Sequence, residues 1–405
     1  MPCVEVQKLP EGKFNKVFLL TMDDGKEVIA KLPNPNSGPQ YFTTASEVAT
    51  MDYVRNVLDI PAPMVYAWSP STDEIGAEYI IMKKSQGVEL GKLWDDIPGP
   101  DKLRIVQQLV VFEKALTSTR FPMYGSLYYA DNLPNIHSNQ MIEFEGKKNT
   151  VSVNFAVGPT TNRTFFDDGR NAVDVDRGPW ASIDDYVFAR AHRELACLQT
   201  CKHFPRQQGL FYGPGQYQPT VQRKQETLSN YLKNFDQLSA EEQLEAKKLR
   251  AAQSLYKLYD IHMIQDCPEI AAALHFRNSL PGQITGLSGS LSSDGEPIVQ
   301  GLLMRLQEKW QTYVGPSVSC PLSFTGEDKE KQKEDEKKWA NGVVLMEEFL
   351  DQVGVYRVWD GWVNHDSYEH YKVRFEQCRQ KFLGSQCTTR EGRSQWETVW
   401  PFMGK

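Results

Sequence analysis

Lys31 closes the run Val28-Ile29-Ala30-Lys31, and Glu47 follows it sixteen residues later. A lysine ending a β-rich apolar run suits the holding of several anionic oxygens while their charge redistributes, and an acid on the next element suits orienting that lysine. Lys31 and Glu47 would have the same spacing as plain surface charges of an ordinary sheet. The elements that carry them decide between the two readings.

Other constellations point to weaker chemistry. Cys197 and Cys201 are four apart with His203 nearby, a zinc half-site without the second ligand pair a structural zinc needs, so buried helix thiols are the expectation. Cys3, Cys267, Cys320, Cys378 and Cys387 are scattered, with no histidine that could be placed beside them. Gly286-Leu287-Ser288-Gly289 misses the nucleophile elbow because Ser290 stands where glycine is required. Asp167-Asp168-Gly169 with Asp174 and Asp176 lacks the spacing of a calcium loop and reads as polar turns. No phosphate loop of the G-x-x-x-x-G-K-[ST] form occurs.

The elements that must position Lys31 and Glu47 are legible in the residue pattern. Runs 4–9, 14–22 and 27–32 concentrate β-branched and aromatic residues, and Asp24-Gly25 supplies a tight turn between the last two. Apolar residues near the helical period predict a helix over 41–58, and 65–69 and 78–82 read as two more strands. This gives an α+β chain: a five-stranded antiparallel sheet with one helix over residues 1–83, then a mainly helical part over 84–405. The better helix candidates there are 102–118, 183–202, 220–232, 240–259, 297–314, 333–353 and 367–382. Ser239 with Glu242 forms a capping box, and the charged run 327–338 reads as a solvated helix start. Trp359, Trp362, Trp396 and Trp400 read as anchors of a C-terminal core.

With 405 residues, 40% hydrophobic and 24% charged, the composition is that of a globular chain of about two domains. A net charge of −7 without a basic segment speaks against nucleic acid, and no apolar run is long enough to span a membrane. Seven cysteines at irregular spacing read as reduced thiols.

A five-stranded sheet with one helix, followed by a larger helical part, is the layout of the protein-kinase-like two-lobed fold. In that layout Lys31 meets nucleotide phosphates, Glu47 orients it, the turn from Gly12 to Asn15 covers the phosphates, and the strand with Met82 leads into the hinge where adenine stacks. The stretch Val4 to Gly12, the run Val28-Ile29-Ala30-Lys31-Leu32-Pro33 and Pro61-Ala62-Pro63-Met64-Val65-Tyr66-Ala67-Trp68 resemble fungal aminoglycoside phosphotransferase-like proteins, in particular the altered-inheritance-of-mitochondria group. Gly209-Leu210-Phe211-Tyr212-Gly213-Pro214, Asp294-Gly295-Glu296-Pro297, Trp359-Asp360-Gly361-Trp362 and Trp400-Pro401-Phe402 extend the resemblance over nearly the whole chain. It implies ATP held between two lobes and transfer of its terminal phosphoryl group to a hydroxyl.

That transfer requires an H-x-D-x-x-x-x-N loop and a second metal-binding aspartate. Asp260-Ile261-His262 has the wrong order, Asn364-His365-Asp366 comes too late, and in Ile284-Thr285-Gly286-Leu287 the next residue is Ser288 rather than a carboxylate. Leu228-Ser229-Asn230-Tyr231-Leu232 resembles the helix before the catalytic loop, and Asn234-Phe235-Asp236-Gln237-Leu238-Ser239 the segment beyond the metal-binding strand. The expectation is therefore no catalytic residue and no magnesium site, with weak ATP binding and a binding role toward a protein partner of unknown identity. The alternative is an active small-molecule phosphotransferase whose catalytic segment is missing from this isoform. The resemblance implies a mitochondrial location. No targeting segment is read at Met1-Pro2-Cys3-Val4-Glu5, so a true start at Met1 would imply the cytoplasm.

Overall fold

The computed structural model describes residues 2–10, 12–142, 154–167, 169–200, 234–289, 291, 296–355, 363 and 367–398. Outside them lie Gly209–Pro214, the helix expected over 220–232, Cys201, His203, Asp168, Ser290, Asp294 and Gly295, the catalytic-loop candidate at 364–366, and Trp359, Trp362 and Trp400. The junction at Leu232 lies outside as well; Asn234 on its far side is described.

Strands β1 (Cys3–Lys8), β2 (Asn15–Met22), β3 (Glu27–Pro33), β4 (Val65–Ser69) and β5 (Tyr79–Lys83) form a five-stranded sheet in the order β1-β2-β3-β5-β4, with every neighbouring pair antiparallel. The β2–β3 hairpin closes at Gly25, whose φ of 76° lies in the region that favours glycine. Helix α1 (Phe42–Asp52) follows β3 and runs into a single wide turn at Tyr53–Val57. Its buried face, Thr44, Ala45, Ser46, Val48 and Ala49, consists mostly of small side chains that permit close packing.

Much of what α1 packs on lies in the range read as mostly helical. Strands β6 (Ser126–Tyr129) and β7 (Phe155–Gly158) pair antiparallel and bring Tyr128, Phe155, Ala156 and Val157 against Ala45, Ala49 and Tyr53. Both strands are only four residues long, too short for a period-2 pattern to stand out. Tyr129 donates to Asp52 Oδ2 at 2.8 Å and Tyr41 to Asn132 O at 2.9 Å, so α1 is bonded at both ends to β6 and the turn that follows it.

The remaining described elements are helical: α2 (Leu90–Leu93), α3 (Gly99–Leu116), α4 (Ile183–Thr200), α5 (Ala240–Asp266), α6 (Pro268–Asn278), α7 (Leu280–Leu287), α8 (Glu296–Glu308), α9 (Trp310–Tyr313), α10 (Gly326–Val353), α11 (Tyr368–Gln386) and α12 (Arg390–Thr398). The Ser239–Glu242 capping box starts α5, and a second box, Thr325–Asp328, starts α10 at Gly326, so the charged run 327–338 forms the first turns of that helix, as expected, ahead of the 333–353 stretch. Separate small cores hold these helices. Val110 of α3 meets Met263 and Cys267, Leu302 of α8 meets Leu287 and Trp339, and Phe349 and Leu350 of α10 meet Phe382, Leu383 and Trp396. Trp396 is thus a core anchor, as its spacing suggested. No helix among the described residues is long and apolar enough to cross a membrane.

Candidate functional site

Register places the site. Val17, Lys31 and Ile80 stand opposite one another across β2, β3 and β5, and Leu19, Ile29 and Met82 form the row two residues along. Residues two apart in a strand share a face, so Lys31 ends a surface built from Val17, Leu19, Ile29, Ile80 and Met82. Ile80 is buried, and the other four apolar side chains are half-buried. One flat apolar surface with one cation at its end suits a ligand with a planar apolar part and an anionic part.

Lys31 Nζ forms an ion pair with Glu47 of α1, with 15% of the lysine side chain and 35% of the glutamate side chain exposed. The pair is therefore shielded yet reachable. The structure brings these two expected residues together and sets Met82 in the adjacent row. Gly12 and Asn15 sit at the β1–β2 connection, where the Gly12 amide donates to Asn15 O at 3.2 Å and the Asn34 amide fixes Phe14 O at 2.8 Å.

Two residues outside the expected set shape the site. Glu78, just before β5 and 5% exposed, accepts from the Tyr41 amide at 2.6 Å and from Thr44 Oγ1 at 2.5 Å. A carboxylate thus closes the start of α1 from another element, satisfying its free amide end and meeting its positive dipole end. No local signature reveals this cap, because its two halves are 37 residues apart. Arg163 stacks its guanidinium on the Phe14 ring, 4.3 Å from the centroid. The only sequence signal near it is Asn162, whose side chain accepts from the Thr164 amide at 3.0 Å and starts the short turn Arg163–Phe165.

The discarded constellations resolve into local structure. Asp260 and His262 lie on α5, where Asp260 pairs with His275 of α6 at 3.2 Å and His262 lies 3.8 Å from Asp266. Ile284–Leu287 is helical, part of α7. Cys197 is buried, and burial pushes the Cys267 thiol up from its ordinary pKa. Asp176 accepts from the Gly178 amide and from Trp180 Nε1 at 2.9 and 2.8 Å, fixing a turn. A concavity of about 540 Å³ beside that turn is lined by Met123, Asp174, Trp180, Phe188 and His192, among others, and by none of the five expected residues. Among the described residues no group of three His, Cys, Asp or Glu side chains is arranged to hold a metal ion.

No protein-family model matches the chain. It is similar to a subtelomeric hrmA-associated cluster protein of Aspergillus fumigatus, 40% identical over 178 residues, covering 44% of this chain and 33% of the relative. It is also similar to the altered inheritance of mitochondria protein 9, mitochondrial, of Yarrowia lipolytica, 28% identical over 203 residues, covering 46% of this chain and 34% of the relative. The protein of that name in Komagataella phaffii is 26% identical over 208 residues, 48% of this chain and 34% of the relative. Further relatives of the same name occur in other yeasts, and that name describes those proteins as mitochondrial. The chain spans about a third of the length of the relatives it matches.

Proposed function

We propose that the chain is a kinase-like protein of the aminoglycoside phosphotransferase type that binds an adenine nucleotide and, as written, transfers no phosphoryl group. The observation that carries this reading is the Lys31–Glu47 ion pair at the end of the apolar surface of Val17, Leu19, Ile29 and Met82. In this reading the apolar surface takes the flat base, Lys31 neutralises a phosphate oxygen, and Glu47 holds the ammonium in place. The Gly12–Asn15 turn lies over the phosphates. Two roles that phosphoryl transfer also needs, orienting an acceptor hydroxyl and holding magnesium, have no residue assigned to them in the sequence. The protein then acts by binding, toward a protein partner, and the mitochondrial names of its relatives support a mitochondrial location.

The second reading, an active small-molecule phosphotransferase lacking its catalytic segment in this isoform, is favoured by the direct succession of Leu228–Leu232 and Asn234–Ser239. The two readings separate in one experiment. Calorimetric titration with ATP, with and without magnesium, is expected to show saturable binding that Lys31→Ala abolishes, with no release of ADP. Magnesium-dependent ATP turnover lost in Lys31→Ala would replace the first reading by the second. No binding of any adenine nucleotide would remove both.

A further inference from the structure

We infer that Arg163 is a second phosphate-binding cation of this site, a guanidinium delivered to the tip of the Gly12–Asn15 turn for the polyphosphate of a nucleotide. The inference rests on the nucleotide-binding reading and assigns it a residue that the strand pattern did not supply.

The geometry is fixed from both sides. On the turn, Phe14 is held by the Asn34 amide at 2.8 Å, and Asn36 Nδ2 donates to Lys13 O at 3.3 Å, so the ring beneath the guanidinium has a defined place. Lys13 Nζ lies 5.5 Å from the centroid of the same ring, which puts two cations around the tip. On the other side, Arg193 of α4 donates to Thr164 Oγ1 at 3.0 Å and stacks on fully buried Phe165, 4.6 Å from its centroid. The turn that carries Arg163 is therefore braced by the fold rather than loosely placed.

The donors of Arg163 are only partly used. Its Nη2 lies 2.5 Å from Asp167, while its Nε is buried without a hydrogen-bond partner. A planar guanidinium presents five N–H donors in a fork that matches phosphate oxygens, and with 31% of the side chain exposed the outer edge of that fork is open to an incoming anion. An incoming phosphate would meet a cation already oriented by its aromatic platform, in competition with Asp167. Asp167 thus holds the fork while the site is empty and opposes an anion when it fills.

The test is titration of wild type, Arg163→Ala, Arg163→Lys and Asp167→Asn with ATP and with AMP in excess EDTA, each variant first checked for an unchanged melting temperature. We expect wild type to favour ATP over AMP, and Arg163→Ala to weaken ATP by at least about tenfold while AMP changes little. Arg163→Lys, which keeps the charge but not the fork, falls between, and Asp167→Asn tightens ATP. Should Arg163→Ala not fold, the Lys and Asn variants carry the same comparison. Equal losses for ATP and AMP, or unchanged ATP binding, would overturn the inference while leaving the nucleotide-binding reading intact. Wild type that binds neither ligand overturns that reading instead, and the inference with it.

Discussion

Two ion pairs in this molecule use the same chemistry for opposite ends. Arg193 and Glu194 are sequence neighbours on α4 whose side chains are both 0% exposed, whereas Lys31 and Glu47 come from separate elements and keep 15% and 35% exposure. Arg193 donates to Glu194 Oε1 from Nε at 3.1 Å and from Nη2 at 2.9 Å, to Thr164, and to the carbonyl of Gly289 beyond α7. Arg170 reaches the same carboxylate at 3.5 Å. Burial pulls the Arg193 guanidinium below its ordinary pKa, and the charge of Glu194 opposes that pull. Every partner of Arg193 is internal, so the cluster ties α4 to the turns at 163–170 and leaves no room for a ligand. Lys31, with one carboxylate partner from another element and a side chain that keeps 15% exposure, has the converse arrangement. A buried charge network is a fastening, whereas the Lys31–Glu47 pair keeps part of its charge within reach of solvent on an apolar face.

The largest expected effect breaks the fastening. Glu194→Ala leaves Arg193 and Arg170 buried without their shared anion and is expected to cost about 3–5 kcal/mol, against less than about 1 kcal/mol for Glu47→Ala. Urea unfolding midpoints of the two variants measure the difference, and equal midpoints would erase the distinction. Next in size is Glu78→Gln. It removes the charge that caps α1 while keeping the shape, for an expected loss of about 1–3 kcal/mol by thermal or urea unfolding. Because the same helix carries Glu47, ATP affinity should fall with it, by less than in Lys31→Ala.

The comparison also explains what the sequence could show. The five strands, α1 and the Lys31–Glu47 spacing are encoded locally, in β-branched runs, a tight turn and a helical period; the strands are legible within a residue or two, whereas α1 stops at Asp52 and the rest of the 41–58 stretch is the wide turn. The Ser239–Glu242 cap was legible for the same reason. Glu78 and Arg163 were not, since each acts on a partner far along the chain, at Tyr41 and Phe14. The β6–β7 hairpin was missed because four-residue strands carry too little pattern, though its buried Tyr128, Phe155 and Ala156 form the floor under α1. A charged pair such as Arg193-Glu194 in a helical run looks like a solvated face, and only the tertiary fold reverses that reading.

Lys31→Met sharpens the Lys31 side of the comparison. Its expected stability change stays within about 1 kcal/mol, because Met keeps the apolar stem of a side chain that is only 15% exposed and its former partner Glu47 retains 35% exposure, while ATP binding is lost. A variant that unfolds instead would place Lys31 with the fastenings.

The smallest effect belongs to the helix caps, which sit in water and serve neither role. Ser239→Ala is expected to cost about 1 kcal/mol at neutral pH. Hydrogen bonds from the Ser239 backbone amide and then its hydroxyl hold the Glu242 carboxyl below the ordinary glutamate pKa, and the Thr325 amide and hydroxyl do the same for Asp328. A carboxyl whose pKa is lowered on folding stabilises the folded state above its unfolded pKa and loses that contribution as pH falls through the folded value. Wild type should therefore weaken below about pH 4, where unfolded carboxyls begin to take up protons. In Ser239→Ala that acid-side loss should be smaller, since its Glu242 has less to lose. Urea midpoints of the two proteins compared from pH 7 to pH 3 read the difference, and parallel curves would mean that the cap makes no charge-dependent contribution.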